Sequence, residues 1–275
     1  MPSLRGGGAE KVMLNLVRGL LDEGWSVDLV LAKAEGPYLV NIPNGCQLVD
    51  LRSAHVSYAL PRLVRYLRTA HPAVLLSTMS HANIIALLAR IIAGKNIRLV
   101  VREANTVSKS LIIDRKWRGR VIPFLMRLLY PMADTIIAPS HGVLQDLAKT
   151  VRLPESKIRL IHNPTMTPDL LQQKDIPLDH SWFQFGEPPV VLGVGRLNPQ
   201  KDFSTLISAF AKAIKHKPLR LMVLGEGPER SKLENLAQEL GVADKVSFPG
   251  FVINPYNYMK HSGLFVLSSA WEGLP

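Results

Sequence analysis

The stretch VVLGVGRLNPQKDF, residues 190–203, decides how this chain is read. Residues 190–195 form an apolar, β-branched run ending in glycine, and helical spacing resumes at Phe203, Leu206, Ile207 and Phe210. A continuous apolar strand that feeds an amphipathic helix through a short polar turn is the repeating unit of a parallel sheet buried on both faces. Such sheets place ligands outside the carboxyl ends of their strands. Arg196 and Lys201 fall at that end, on either side of Pro199. A planar guanidinium and a flexible ammonium at this spacing can reach one diphosphate together. Asp202 suits the cap of the following helix. The plainer reading of the same loop is two solvated surface cations.

The same alternation runs outward in both directions. Strand patterns occupy 26–32, 73–78, 98–102, 135–138, 158–161, 220–224, 245–248 and 264–267. Helical patterns lie at 9–22, 60–70, 81–93, 142–150, 203–215 and 229–240. The rhythm breaks over 168–188, where Pro168, Pro177 and Pro188 punctuate a stretch with little periodicity, and this predicts a linker. The fold class expected is α/β: two Rossmann-like parallel-sheet domains, 1–167 and 189–275, facing a shared cleft. Both read as incomplete. The glycine loop near residue 6 has only four residues before it where a strand is wanted, and the run at 264–267 has no helix after it. The chain as written is therefore expected to be poorly soluble or inactive.

With 275 residues, 47% of them apolar and 20% charged, the chain can bury the core of two soluble domains. No apolar run reaches the ~18 residues of a membrane span, and the N-terminus lacks a signal pattern. A lone cysteine, Cys46, rules out an intramolecular disulfide and fits a reducing compartment, so a cytoplasmic location is expected. The net charge of +11 is one-sided: residues 1–165 carry 22 Lys/Arg against 11 Asp/Glu, and the remainder balances at 11 and 11. The first half thus faces something anionic.

Three further pieces carry chemistry. Gly6, Gly7 and Gly8 open a helix whose first N–H groups suit a phosphate, although a flexible tail reads equally well. LGEGPER, residues 224–230, is a second strand ending in a glycine turn, either a backbone cradle beside a nucleotide or an ordinary strand-to-helix turn. SSAWEGLP leaves Glu272 at a strand exit, where a carboxylate commonly binds hydroxyls.

In this order RGGGAEKV, VGRLNPQKDF, LGEGPER, FPGFV and EGLP resemble the retaining glycosyltransferases of family 4, also called glycosyl transferases group 1. APSHGVLQDL and IHNPTM support the match, and the resemblance covers essentially the whole chain. It implies the two-domain GT-B fold. It implies that Arg196 and Lys201 bind the nucleotide diphosphate and stabilise the leaving phosphate. Gly7 and Gly8 would pack on that diphosphate or the sugar, Phe251 and Val252 would lie beside the base, and Glu226 nearby. Glu272 would be the first carboxylate of the family's Glu-x7-Glu motif. No Asp-x-Asp occurs, so metal-independent transfer without a cofactor is expected, with the two cations stabilising the developing charge.

The acceptor side departs from the family pattern. Where some members place a histidine after the strand that reads LVVREANT here, this chain has Arg102 and Glu103. Glu103 is a candidate to orient or deprotonate the acceptor hydroxyl, or else one half of an ion pair with a local arginine. His81, at another strand exit, is a second candidate, or else a helix-entry hydrogen bond. Arg62, Arg65 and Arg68 share one helical face, and Arg115, Lys116, Arg118, Arg120 and Arg127 interleave with Trp117, Phe124, Leu125 and Met126. Such stretches suit an anionic membrane surface or a solvated face over a core helix. The expected function is transfer from a UDP- or GDP-sugar to a glycan or lipid-linked acceptor in cell-surface polysaccharide or glycolipid synthesis, peripheral to the membrane. An inactive nucleotide-binding or membrane-surface module is the alternative. A dinucleotide-dependent oxidoreductase is disfavoured because GVGRLN lacks the third glycine. Nucleic acid is disfavoured because aromatics are 7% and no recognition motif occurs.

Overall fold

A computed structural model of the chain describes residues 1–94, 96–109 and 118–274. The chain divides into two compact units, one of Met1–Thr165 with Glu272–Pro275, the other of Met166–Trp271. Every strand pair described is parallel.

The first unit runs α1 (Gly8–Asp22), β1 (Asp28–Leu31), β2 (Gln47–Asp50), α2 (Leu60–Ala70), β3 (Val74–Thr78), α3 (Ser80–Ala93), β4 (Arg98–Arg102), α4 (Arg118–Leu129), β5 (Thr135–Ala138), α5 (His141–Val151) and β6 (Ile158–Leu160). Its strands form two sheets, β1-β2 and β3-β4-β5-β6. Met1–Leu4, too short to read as a strand, nonetheless bonds along the end of β1: Ala32 N–H donates to Met1 O at 3.0 Å and Lys33 N–H to Pro2 O at 3.1 Å. Helices end where the sequence lets them. Gly94 closes α3 at φ 63°, with its N–H returning to Arg90 and Ile91 carbonyls, and Ser140 caps α5 by accepting from Val143 N–H at 3.3 Å. The core forms where Leu99, Val101, Ile136 and Ala138 of the sheet meet Leu87, Met126 and Leu147 of α3, α4 and α5.

The second unit runs α6 (Pro168–Gln173), β7 (Val190–Val194), α7 (Phe203–Ala213), β8 (Arg220–Leu224), α8 (Arg230–Glu239), β9 (Val246–Gly250), α9 (Tyr256–His261) and β10 (Leu264–Phe265), with sheet order β10-β7-β8-β9. Phe203, Leu206, Ile207, Phe210 and Leu233 cover one face of this sheet. Val190, Leu192, Met222 and Leu224 form the other, and Trp182, Phe183, Tyr258 and Met259 lie over them. The segment expected to be a linker is therefore a packed part of this unit. Asn254 Nδ2 donates to Gln173 O at 2.7 Å, Lys260 pairs with Asp175 at 2.7 Å, and the Arg220 guanidinium lies 4.9 Å over the Trp182 ring. A sheet buried on both faces needs that cover, and two aromatic residues supply it without a helical period. The other boundary also moves, because Glu272 onward packs with the first unit. Among the described residues no helix is long and apolar enough to cross a membrane.

Candidate active site

In the second unit the ends of β7, β8 and β9 stand side by side, and five of the candidate site residues, Arg196, Lys201, Glu226, Phe251 and Val252, lie in the loops that follow. The loops lock together through backbone bonds: Gly195 N–H donates to Leu224 O at 2.9 Å, Leu197 N–H to Glu226 O at 3.0 Å, and Glu229 N–H to Leu197 O at 3.0 Å. Only glycine permits this approach. A Cβ on Gly225, at φ 139°, would stand 1.9 Å from Gly195 O, and one on Gly227 would stand 2.2 Å from Leu197 O. The glycines of LGEGPER therefore support the cationic loop as well as ending their own strand. Leu197 anchors that loop in the core, while Arg196 beside it is exposed, with no hydrogen-bond or ion-pair partner for its guanidinium among the described residues. The aliphatic stem of Lys201 lies across Gly195, with Cε 3.0 Å from where a Cβ would be, and Ser268 Oγ donates to Lys201 O at 2.8 Å. Asp202, at φ 45°, caps α7 by accepting from Thr205 N–H at 3.3 Å and Thr205 Oγ1 at 2.8 Å. Two cations are thus held on one braced loop at a strand's carboxyl end, in front of a helix N-terminus. Such an arrangement suits a diphosphate.

Glu226 stands on the neighbouring loop but is engaged: its carboxylate accepts from Arg230, which also donates to Glu234 at 2.9 Å and to Phe248 O at 2.7 Å. Phe251 is half-buried just past β9, and Val252 packs on the core face formed by Val190, Leu192, Met222 and Leu224.

The first unit is equipped differently. The N–H groups of Gly6 and Gly7 both donate to the buried Glu10 carboxylate, at 2.6 and 2.7 Å. Glu10 stands three residues after the N-cap Gly7, the position from which a carboxylate reaches back to close the helix start. That spacing was the available signal. Gly8 is exposed, with open space around its Cα.

At the ends of β3 and β4 lies a polar cluster that the sequence did not reveal. Glu103 is only 2% exposed and accepts from Ser80 Oγ at 2.9 Å, from Asn83 Nδ2 at 3.0 Å, and from the Tyr130 hydroxyl in a short bond. Arg102, also buried, turns to Thr78 Oγ1 at 3.0 Å and to Asn163 Oδ1. The Glu103 carboxylate is closed off from solvent and its hydrogen-bond partners are neutral side chains, while the Arg102 guanidinium attracts it electrostatically without a direct hydrogen bond. Burial pushes the Glu103 carboxyl above the usual carboxylate range, against the pull of those hydrogen bonds, and burial lowers the Arg102 guanidinium. Burial and the neighbouring Glu103 raise the Tyr130 hydroxyl further. Between β3 and α3, Met79 adopts φ 76° and ψ 132°, which costs a residue with a side chain about 1–3 kcal/mol. His81, two residues on, has an exposed surface, yet partial burial of its ring and, after that, the N-terminal ammonium hold it below the usual histidine range. Glu272 is half-buried beside Gly273, whose carbonyl accepts from Ser140 Oγ at 2.5 Å.

The basic stretches are partly used up. Arg62 donates to the carbonyls of Leu51 and Arg52, and Arg68 to Ile92 O at 2.7 Å, whereas Arg65 is exposed. On α4, Phe124 and Leu128 are 65% and 61% exposed, while Met126 is buried and Arg127 donates to Thr150 O at 3.0 Å. Arg115, Lys116 and Trp117 lie outside the described residues.

Comparison with known proteins places this geometry. Residues 6–167 match the family described as Glycosyltransferase Family 4, and residues 178–275 match Glycosyl transferases group 1. The N-acetylgalactosamine-N,N'-diacetylbacillosaminyl-diphospho-undecaprenol 4-alpha-N-acetylgalactosaminyltransferase of Campylobacter jejuni is 32% identical over 284 aligned positions, covering 98% of this chain and 73% of its own. Among solved structures, Anabaena HepE in complex with UDP and glucose superimposes with a TM-score of 0.74 at 17% identity, over 98% of this chain and 73% of that one. WaaG, a glycosyltransferase involved in lipopolysaccharide biosynthesis, gives 0.73 at 17% identity, over 98% and 74%. The fold is the GT-B arrangement of parallel-sheet units, and the chain belongs to the family 4 glycosyltransferases, with relatives whose names place them in lipopolysaccharide core and polysaccharide biosynthesis.

Proposed function

We propose that the protein transfers a sugar, with retention, from a UDP- or GDP-linked donor to a glycan or lipid-linked acceptor in cell-surface polysaccharide or glycolipid synthesis. The observation that carries this reading is the braced loop after β7, where exposed Arg196 and half-buried Lys201 stand at the strand's carboxyl end. Departure of a nucleoside diphosphate develops negative charge, and preorganised cations lower the barrier by meeting it. In this reading the two side chains do so without metal or cofactor, with Phe251 and Val252 beside the base and Glu226 nearby. Gly7, Gly8 and Glu272 are further donor-binding residues, and His81 stands on the acceptor side.

A lipid-linked acceptor is favoured by the Campylobacter relative, whose name specifies a diphospho-undecaprenol saccharide. The exposed Phe124 and Leu128 on α4, with Arg65 on α2, suit attachment to the inner face of an anionic membrane from the cytoplasm. The test is a screen of UDP- and GDP-sugars with bacterial lipid extract as acceptor, read by product mass. A lipid product heavier by one sugar is expected. Binding of UDP without transfer or donor hydrolysis would overturn the reading in favour of a nucleotide-binding module.

A further inference from the structure

Glu103 is a buried carboxyl with no direct part in the transfer proposed above. Two of the three side chains that donate to it, Ser80 and Asn83, belong to the first turn of α3, and the third, Tyr130, is fully buried beyond the end of α4. Asn83 Nδ2 also donates to Arg102 O at 3.0 Å, and the Met79 N–H donates to the same carbonyl at 3.3 Å. The turn from β3 into α3 is thus tied to the end of β4 at its strained residue, Met79, and at Ser80 and Asn83 just after it.

A buried carboxyl is an expensive fastener, since a well-packed apolar side chain fills such a space at less cost. Ser80 could cap a helix, yet α3 has no side-chain cap and the hydroxyl goes to Glu103. Both choices hold one backbone shape at a strand's carboxyl end. Strain persists only where surroundings over-determine it, and it gathers at sites of function. What this turn presents is His81: Ala82 and Asn83 after it are buried, and His81 is exposed.

We propose that Glu103 is a positioning residue, which through Ser80, Asn83 and Tyr130 holds the β3–α3 turn so that His81 orients the acceptor's attacking hydroxyl. This rests on the transferase reading and moves Glu103 from candidate base to support. The test uses the full chain with UDP-N-acetylgalactosamine as donor and an undecaprenyl-diphosphate-linked N-acetylhexosamine as acceptor. It compares transfer with the hydrolysis of the same donor when acceptor is omitted. Glu103→Gln and Tyr130→Phe should each lower transfer kcat by about 10- to 100-fold, the scale of a small misplacement near the chemistry. Donor hydrolysis and UDP affinity should stay within about twofold in both. His81→Ala should lose transfer to a similar extent, and Tyr130→Phe added to it should cost little more, as expected for coupled residues. Tyr130→Phe keeps the ring and serves if Glu103→Gln does not fold. Transfer and hydrolysis falling together, or unchanged transfer in Tyr130→Phe, would overturn the positioning role alone. A native chain that neither transfers nor hydrolyses this or any other UDP- or GDP-sugar would overturn the transferase reading with it.

Discussion

At the end of β7, Arg196 stands in solvent on a loop braced by its glycine neighbours; at the end of β4, Arg102 and Glu103 are buried and hydrogen-bonded to neighbouring side chains. Both places are carboxyl ends of parallel strands, the position where such folds bind ligands. They differ in what their polar groups are already doing. An exposed guanidinium without a protein partner keeps its charge for an incoming anion, and the cost of holding it there falls on the backbone around it. A buried network is committed to its own members, and its effect on a ligand must pass through the surface residue it holds.

That contrast can be broken most sharply by removing one arginine from each rim. Arg196→Ala and Lys201→Ala should each lower sugar transfer by more than about 100-fold, the scale for losing a donor that meets developing charge. The melting temperature of Arg196→Ala should barely move, because the side chain is exposed. Arg102→Ala should do the reverse and lower stability first, by about 1–3 kcal/mol in urea denaturation, because it strands the buried Thr78 hydroxyl and the half-buried Asn163. Equal melting losses in Arg196→Ala and Arg102→Ala would erase the distinction between the rims.

A smaller effect is expected at the glycine loop. Glu10→Ala should cost about 1–2 kcal/mol by unpairing two N–H groups at the start of α1, and Glu10→Gln less. Hydrogen exchange at the Gly6 and Gly7 amides should quicken in Glu10→Ala; unchanged exchange would mean that the carboxylate does not hold them.

The smallest effect is one of pH. The folded Glu103 carboxyl binds its proton more tightly than the unfolded one, since burial raises it. Its contribution to stability is therefore fully present below the ordinary carboxylate range and is lost as pH rises through the raised folded value. Glu103→Gln should flatten that part of the stability profile in melts taken across acid to neutral pH. A profile identical to that of the native chain would show that Glu103 does not titrate there.

Parallel strands inside a sheet were legible to the residue at 98–102, 135–138 and 220–224, because each is a continuous apolar run. The short edge strand β2 was not, since Gln47–Asp50 is mostly exposed and carries no such run. Neither was the role of Trp182 and Phe183, since two aromatic residues among prolines have no period to read. Of the site, the loop after β7 was legible from its place between a strand and a helix. Glu10 could have been read from its spacing to Gly7, but the pairing of Glu103 with Tyr130 spans 27 residues and leaves no local pattern.

Periodicity and turn chemistry act over a few residues, so they suffice for the parallel α/β architecture, the family, and the position of Arg196 and Lys201 at a strand's mouth. Which polar groups are already taken follows from packing alone: Gly6 and Gly7 by Glu10, and Glu103 by Ser80, Asn83 and Tyr130. Whether a donor or acceptor is satisfied depends on distances of a few tenths of an ångström between elements far apart in the chain, and those distances are set by packing.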